Sequence, residues 1–179
     1  MYKKLKTIAR VVKTHGKKGE VVTVSVNGLP SLMRENLMVC LVPPALKSNR
    51  WHRVAEVQDG PRGQLVTFFD VSTISDAEEL VGKSILALEE DLPEDLVLHD
   101  PNVLLGSHVV DEQVGELGVI AEVMVGPAND VWSIQGPYGE VLIPVVPEVI
   151  QGTISDGEAF LVRVPEGTLP TRSSEESDE

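Results

Sequence analysis

The sequence predicts a mainly β protein: two small β-barrels joined by a short acidic linker, with one or two short helices. Three observations predict it. Apolar residues recur with period two or in short β-branched runs, Gly and Pro interrupt them too often for long helices, and charge divides the chain. Within a net charge of −13, residues 1–62 hold 12 of the 15 Lys and Arg against four acids, a net +8. The rest holds three bases against 24 acids, a net −21. At 179 residues and 42% hydrophobic content, each part has enough apolar material for a core of its own.

Taken in order, Ile8 to Lys13 and Glu20 to Val26 are expected strands, the second placing Val22, Val24 and Val26 on one face and Thr23 and Ser25 on the other. Leu37 to Val42, Trp51 to Gln58 and Gln64 to Phe69 continue the series, with Asp59 to Gly63 connecting the last two. About five strands make a small barrel. A short helix should follow and cover one barrel end, with Ser75 as its cap, Glu78 completing a capping box and Gly82 ending it. Glu89 to Asp95 is acidic and contains Pro93, poor material for a strand interior, so the domain boundary is expected there. The expected division is 1–88 for the first barrel, 89–98 for the linker, 99–169 for the second barrel and 170–179 for a disordered acidic tail.

In the second half, Leu105 to Asp111, Gly118 to Val125, Val131 to Gln135, Val141 to Val145 and Phe160 to Val164 are the expected strands. Pro127 to Asp130 and Pro137 to Gly139 read as tight connections, and Ser155 to Gly157 as a short hairpin turn. After Pro170 the sequence offers nothing apolar to bury. Apolar runs such as Val141 to Val146 fall far short of the roughly 20 residues of a membrane span, and the basic start lacks the pattern of a secretory signal. A cytoplasmic protein is expected. The single cysteine, Cys40, lies among apolar neighbours and should be a buried core residue.

The sharpest local signal is His15-Gly16-Lys17-Lys18-Gly19-Glu20, where Gly16 and Gly19 form a structural turn around two lysines. Such a turn could hold a phosphate backbone without reading bases, or its lysines could simply be solvated. The segment is not a P-loop, since it lacks the eight-residue spacing and the adjoining helix. No serine or cysteine nucleophile can be assigned beside His15 and Glu20, so no catalytic residue is expected. His52, His99 and His108 lack zinc-site spacings, and Asp111, Glu112 and Glu116 lack the calcium-loop pattern, so neither metal nor cofactor is expected. Asn129-Asp130-Val131-Trp132 places two turn formers before a strand whose tryptophan is either core or an interface anchor. With seven aromatics in all, the chain lacks a base-stacking platform, and any RNA contact should be to the backbone.

Several segments together resemble the bacterial ribosome maturation factor RimM family. They are Ala9 to Val21 (ARVVKTHGKKGEV), Ala77 to Gly82 (AEELVG), the acidic linker, Gly106 to Val110 (GSHVV), Gly115 to Val123 (GELGVIAEV), Pro127 to Trp132 (PANDVW) and Glu140 to Pro144 (EVLIP). The match runs in the family's order over roughly residues 5 to 169. The resemblance implies a six-stranded N-terminal barrel, a C-terminal PRC barrel and a non-enzymatic role as an assembly chaperone of the small ribosomal subunit. Its implied partners are the small-subunit precursor and the small-subunit ribosomal protein nineteen, with possible contact to the rRNA backbone. The implied outcome is head assembly and efficient processing of small-subunit rRNA. A monomer is expected, and the −21 of the second half speaks against binding to anionic membranes.

The basic partner suits the acidic second half, which would contact it through His99, Asp100, Asn129, Asp130 and Trp132. His15, Lys17 and Lys18 would face RNA or the subunit. Where many members carry Tyr-Tyr before the first PRC strand, this chain has His99-Asp100; a frequent glycine is Ala9 here, and an arginine often found before the short helix is absent. The rival reading is a PRC-barrel interaction module of another complex, also without catalysis.

Overall fold

The computed structural model describes residues 2–154 and 158–170. The chain forms two compact units divided after Leu96. The expected turn at Ser155 to Gly157 and most of the expected tail lie outside the described residues.

The first unit is a closed antiparallel barrel of β1 (Leu5–His15), β2 (Glu20–Ser25), β3 (Met38–Val42), β4 (Trp51–Gly60), β5 (Gly63–Phe68) and β6 (Ser84–Leu88), in the order β1-β2-β5-β4-β3-β6. Strand β1 is long because it pairs with both β2 and β6, and register shifts at Thr7/Ala9 and Val11/Lys13 bend it around the barrel. Alternation sends Ile8, Val21, Val54, Val66, Phe68 and Ile85 into one core. Cys40 is buried in β3. In β2 the inward residues are Val21 and Thr23, so Val22 and Val24 form the outer face. The Thr23 hydroxyl donates to the Gln64 carbonyl, and Gln64 in turn bonds both backbone groups of Met33, pinning the long β2–β3 connection onto the barrel.

Helix α1 (Ile74–Leu80) packs Ala77 and Leu80 onto this core. Its cap is Thr73, not Ser75: the Thr73 hydroxyl accepts from the Asp76 N–H at 3.1 Å, which starts the helix before the frame that Ser75 and Glu78 would impose. Thr73→Ala should therefore cost about 1 kcal/mol of stability. Ser75→Ala, at an exposed position in the first helical turn, should change it by less than about 0.5 kcal/mol. Urea unfolding of the two variants separates the frames. The acidic segment then makes two 3-10 turns, Glu89–Asp91 and Glu94–His99, and the Arg34 guanidinium donates to the Asp91 carbonyl at 2.9 Å.

The first helix of the second unit is α2 (Pro101–Leu104); the strand expected from Leu105 starts only at His108. Six strands follow: β7 (His108–Asp111), β8 (Gly115–Met124), β9 (Val131–Gly136), β10 (Gly139–Pro144), β11 (Ile150–Ile154) and β12 (Ala159–Val162), in the order β10-β9-β8-β7-β12-β11. Among the described residues only the β7–β12 pair is parallel. Strands β10 and β11 are the two edges, yet Val141 and Ile143 of β10 share one core with Trp132, Phe160 and Val162, so the sheet curls into an open barrel. At Gly118, where β7 and β8 shift register, φ is +125° and a Cβ would lie 2.0 Å from the Gln135 carbonyl oxygen; no other residue fits.

The fold redistributes the charge read from the sequence. The acids of α1 and of the linker belong to the first unit, which holds 13 bases and 13 acids and is neutral overall. The whole net charge of −13 therefore sits on the second unit, with two bases against 15 acids. The first barrel is not a basic body but a neutral one with a basic region.

Candidate functional site

Two clusters carry the candidate residues, one in each unit. In the first, β1 and β2 meet at a turn whose last cross-strand pair is His15 and Glu20. Gly16 (φ +65°) and Gly19 (φ +86°) take left-handed conformations, and a Cβ on Gly19 would fall 2.5 Å from the Val71 carbonyl oxygen. The buried glycine anchors the turn against the chain leading into α1, while Lys17 and Lys18 point to solvent with no ion pair among the described residues. Two adjacent ammonium groups on a rigid turn suit phosphate oxygens, which need charge rather than a directional donor pattern. His15, also exposed, stands beside them.

In the second unit, the five candidate residues divide by depth. Asp100 is almost fully buried and caps α2: its Oδ1 accepts the Asn102 backbone N–H at 3.0 Å, with Pro101 at the first helical position. Trp132 is fully buried and packs against Phe160 in a tilted pair at 5.0 Å and 59°. Neither can touch a partner directly. The open choice for Trp132 is thus settled as core, and Asp100 is a structural cap; both hold up the surface instead of forming it. Asn129 is exposed, while His99 and Asp130 are part-buried, their side chains 34% and 14% exposed. His99 Nδ1 meets Asp130 Oδ2 at 2.7 Å, joining the last 3-10 turn to the connection before β9, and the Asp130 carbonyl accepts the Val145 N–H at 2.8 Å. Asn129, exposed, precedes this pair.

Two other histidines pair in the same way: His52 with Asp70 at 2.9 Å, and His108 with Glu116 at 2.7 Å. These pairs join residues 18 and 8 positions apart, with no spacing motif to mark them in the sequence. His52 is buried and packs its ring against Phe68 at 5.5 Å. Asp111, another buried carboxylate, has its own role: burial alone would raise its pKa, but N–H donors of Val164, Gln113 and Val114 and the nearby Arg163 charge outweigh that and lower it. Among the described residues, no group of three His, Cys, Asp or Glu is placed to hold a metal ion, and no helix is long and apolar enough to cross a membrane.

A closed six-stranded barrel followed by an open six-stranded one defines a two-module, mainly β protein. The chain belongs to the ribosome maturation factor RimM family: residues 6–92 match the RimM N-terminal domain and residues 101–168 the RimM PRC barrel domain. It is 31% identical over 172 residues to the ribosome maturation factor RimM of Prosthecochloris aestuarii, covering 93% of this chain and 99% of that one. With the protein of the same name from Geotalea uraniireducens it shares 29% over 165 residues, covering 90% and 94%. The solution structure of the N-terminal domain of RimM from Thermus thermophilus is similar at TM-score 0.41 and 20% identity, covering 50% of this chain and 95% of that one.

Proposed function

We propose that this protein is an assembly chaperone of the small ribosomal subunit. Its acidic second unit captures a basic head protein, the small-subunit ribosomal protein nineteen, while the lysine turn of the first unit rests on nearby rRNA phosphates. The placement of charge carries this reading. A unit with 15 acids and two bases attracts a basic protein and repels nucleic acid and anionic lipid. The neutral first unit exposes Lys17 and Lys18 on a turn fixed by Gly19. Binding holds protein and RNA in one relative geometry, and no covalent step is involved; efficient processing of the small-subunit rRNA follows from a correctly assembled head.

Cosedimentation of the purified protein with free small subunits and with intact ribosomes, over a salt series, tests this. Wild type should bind free subunits selectively. Lys17→Ala/Lys18→Ala should weaken binding and reduce the slope of log K against log salt by about one for each phosphate no longer neutralised. Asn129→Lys, which sets a positive charge beside the His99–Asp130 pair, should weaken binding to a basic partner. Asp100→Ala is unsuited to the purpose, because it strips a buried helix cap. Failure of wild type to bind subunits at low salt would sink the reading and favour an interaction module of another complex.

A further inference from the structure

The ladder registers of β8, β9 and β10 place Met124, Val131 and Pro144 in one cross-strand row and Glu122, Ser133 and Leu142 in the next. Both rows lie on the sheet face opposite Trp132 and Ile143, with Met124 and Leu142 exposed and Ser133 of the central strand itself buried. On that face Leu142 is 51% and Met124 36% exposed; Val125, just beyond the end of β8, is 79% exposed. A folded protein normally turns such a row inward; here the core side is already filled by Trp132, Ile134, Val141 and Ile143.

We infer that this outer face of β8–β9–β10 is the docking surface for the second unit's protein partner, and that it takes a basic segment bearing one or two apolar side chains. The inference rests on the proposed function and names the surface that would serve it. Glu122 stands in the Leu142 row, and Glu140, whose carboxylate accepts from the Ser133 hydroxyl at 2.7 Å, borders it, so the apolar strip is rimmed by negative charge. Among the described residues of this unit the sole Lys or Arg is Arg163, already bonded to Glu112 at 2.7 Å. The strip also continues into Asp130, which directly precedes Val131, so it adjoins the His99–Asp130 pair. Charge decides the occupant: a second copy of the chain would bring another unit of −13 against this one, and RNA or anionic lipid would be repelled in the same way. A basic segment gains on both counts, covering the apolar row while its cations meet the rim. Pro144 removes a donor at the end of the open β10 edge, which favours contact through the face over an added strand.

The test measures the affinity of the full chain for purified free small subunits, with Leu142→Ser, Met124→Ser and Leu142→Lys against Val114→Lys. Val114 is equally apolar and exposed but lies in the β7–β8 turn. Thermal melts check that each variant folds, which exposed positions should allow. Wild-type binding with about tenfold or greater loss in the Leu142 and Met124 variants, and none in Val114→Lys, is the expected result. Wild-type binding that the Leu142 and Met124 variants retain would overturn the surface assignment and leave the proposed function standing. An equal loss in Val114→Lys would overturn it too, because the effect would then not be specific to this face. Absence of binding by the wild type would remove the proposed function and this inference with it.

Discussion

Trp132→Ala should destabilise the second unit by about 3–5 kcal/mol, the cost of emptying a fully buried indole site that its neighbours cannot close. The indole fills the centre of the open barrel, tilted against Phe160 and paired across the ladder with Ile143 and Val123. Trp132→Phe should cost far less than the alanine change. The Trp132 Nε1–H is buried without a hydrogen-bond partner among the described residues, and removing an unpaired donor recovers about 1–3 kcal/mol of desolvation cost, which offsets the lost volume. In the alanine variant the remaining tryptophan is Trp51 in β4 of the first unit, so its emission reports on that unit alone. The expected result is an early loss of β signal by circular dichroism in urea, with the Trp51 transition unmoved, because the two cores share no residue. Equal losses for alanine and phenylalanine would show that the indole N–H matters in a way burial does not explain.

What the sequence made legible, and what it hid, follows from where each element draws its stability. Strands with alternating β-branched residues, such as Val21 to Val24, Trp51 to Val57 and Val131 to Gln135, carry their own pattern and appear within a residue or two of the expected bounds. Strand β6 does not. Ser84 to Leu88 is an almost unbroken aliphatic run that becomes a strand because β1 and β3 flank it, a partnership made across some 80 and 45 positions. Strand β11 was hidden by Gly152 and by its place at the sheet edge. Helix α2 did leave a signal: Asp100-Pro101 is a cap followed by a first-turn proline, but the apolar run into Val110 masks it. The candidate sites show the same division. The turn glycines were readable because backbone conformation is local, and the lysines beside them with it. The roles of Asp100 and Trp132 were not, because apolar residues at Met124, Val131 and Leu142 alternate like core positions although they face outward, and period two cannot say which face is filled. The charge split was visible in the sequence, but its boundary at residue 62 was not the boundary of the fold, since the barrel closes only with β6.

Asp111→Asn should remove about 2–4 kcal/mol at neutral pH, and the size of that loss should depend on pH in a defined direction. Asp111 ends β7 and ties three chain segments together: Oδ1 accepts from the Gln113 and Val114 N–H groups at 2.8 and 3.1 Å, fixing the β7–β8 turn, and Oδ2 accepts from Val164 at 2.8 Å, fixing the chain after β12. An ionised carboxylate can accept all three bonds. An amide can keep the two at its oxygen, but it turns an NH2 group toward the Val164 N–H and leaves a buried donor facing a donor. Because these donors hold the folded-state pKa of Asp111 below the usual carboxylate value of 3.8, its stabilisation is complete above that value and is lost as pH falls through the lower, folded value. Once protonated, Asp111 offers little more than asparagine does. Urea unfolding of both proteins at pH 7, 5, 4 and 3 should therefore show a constant gap in stability down to about pH 5 and a narrowing gap below it. The other carboxylates titrate in both proteins and cancel in the difference. A gap of the same size at pH 3 and pH 7 would mean that the shape of the side chain, and not its charge, anchors the turn.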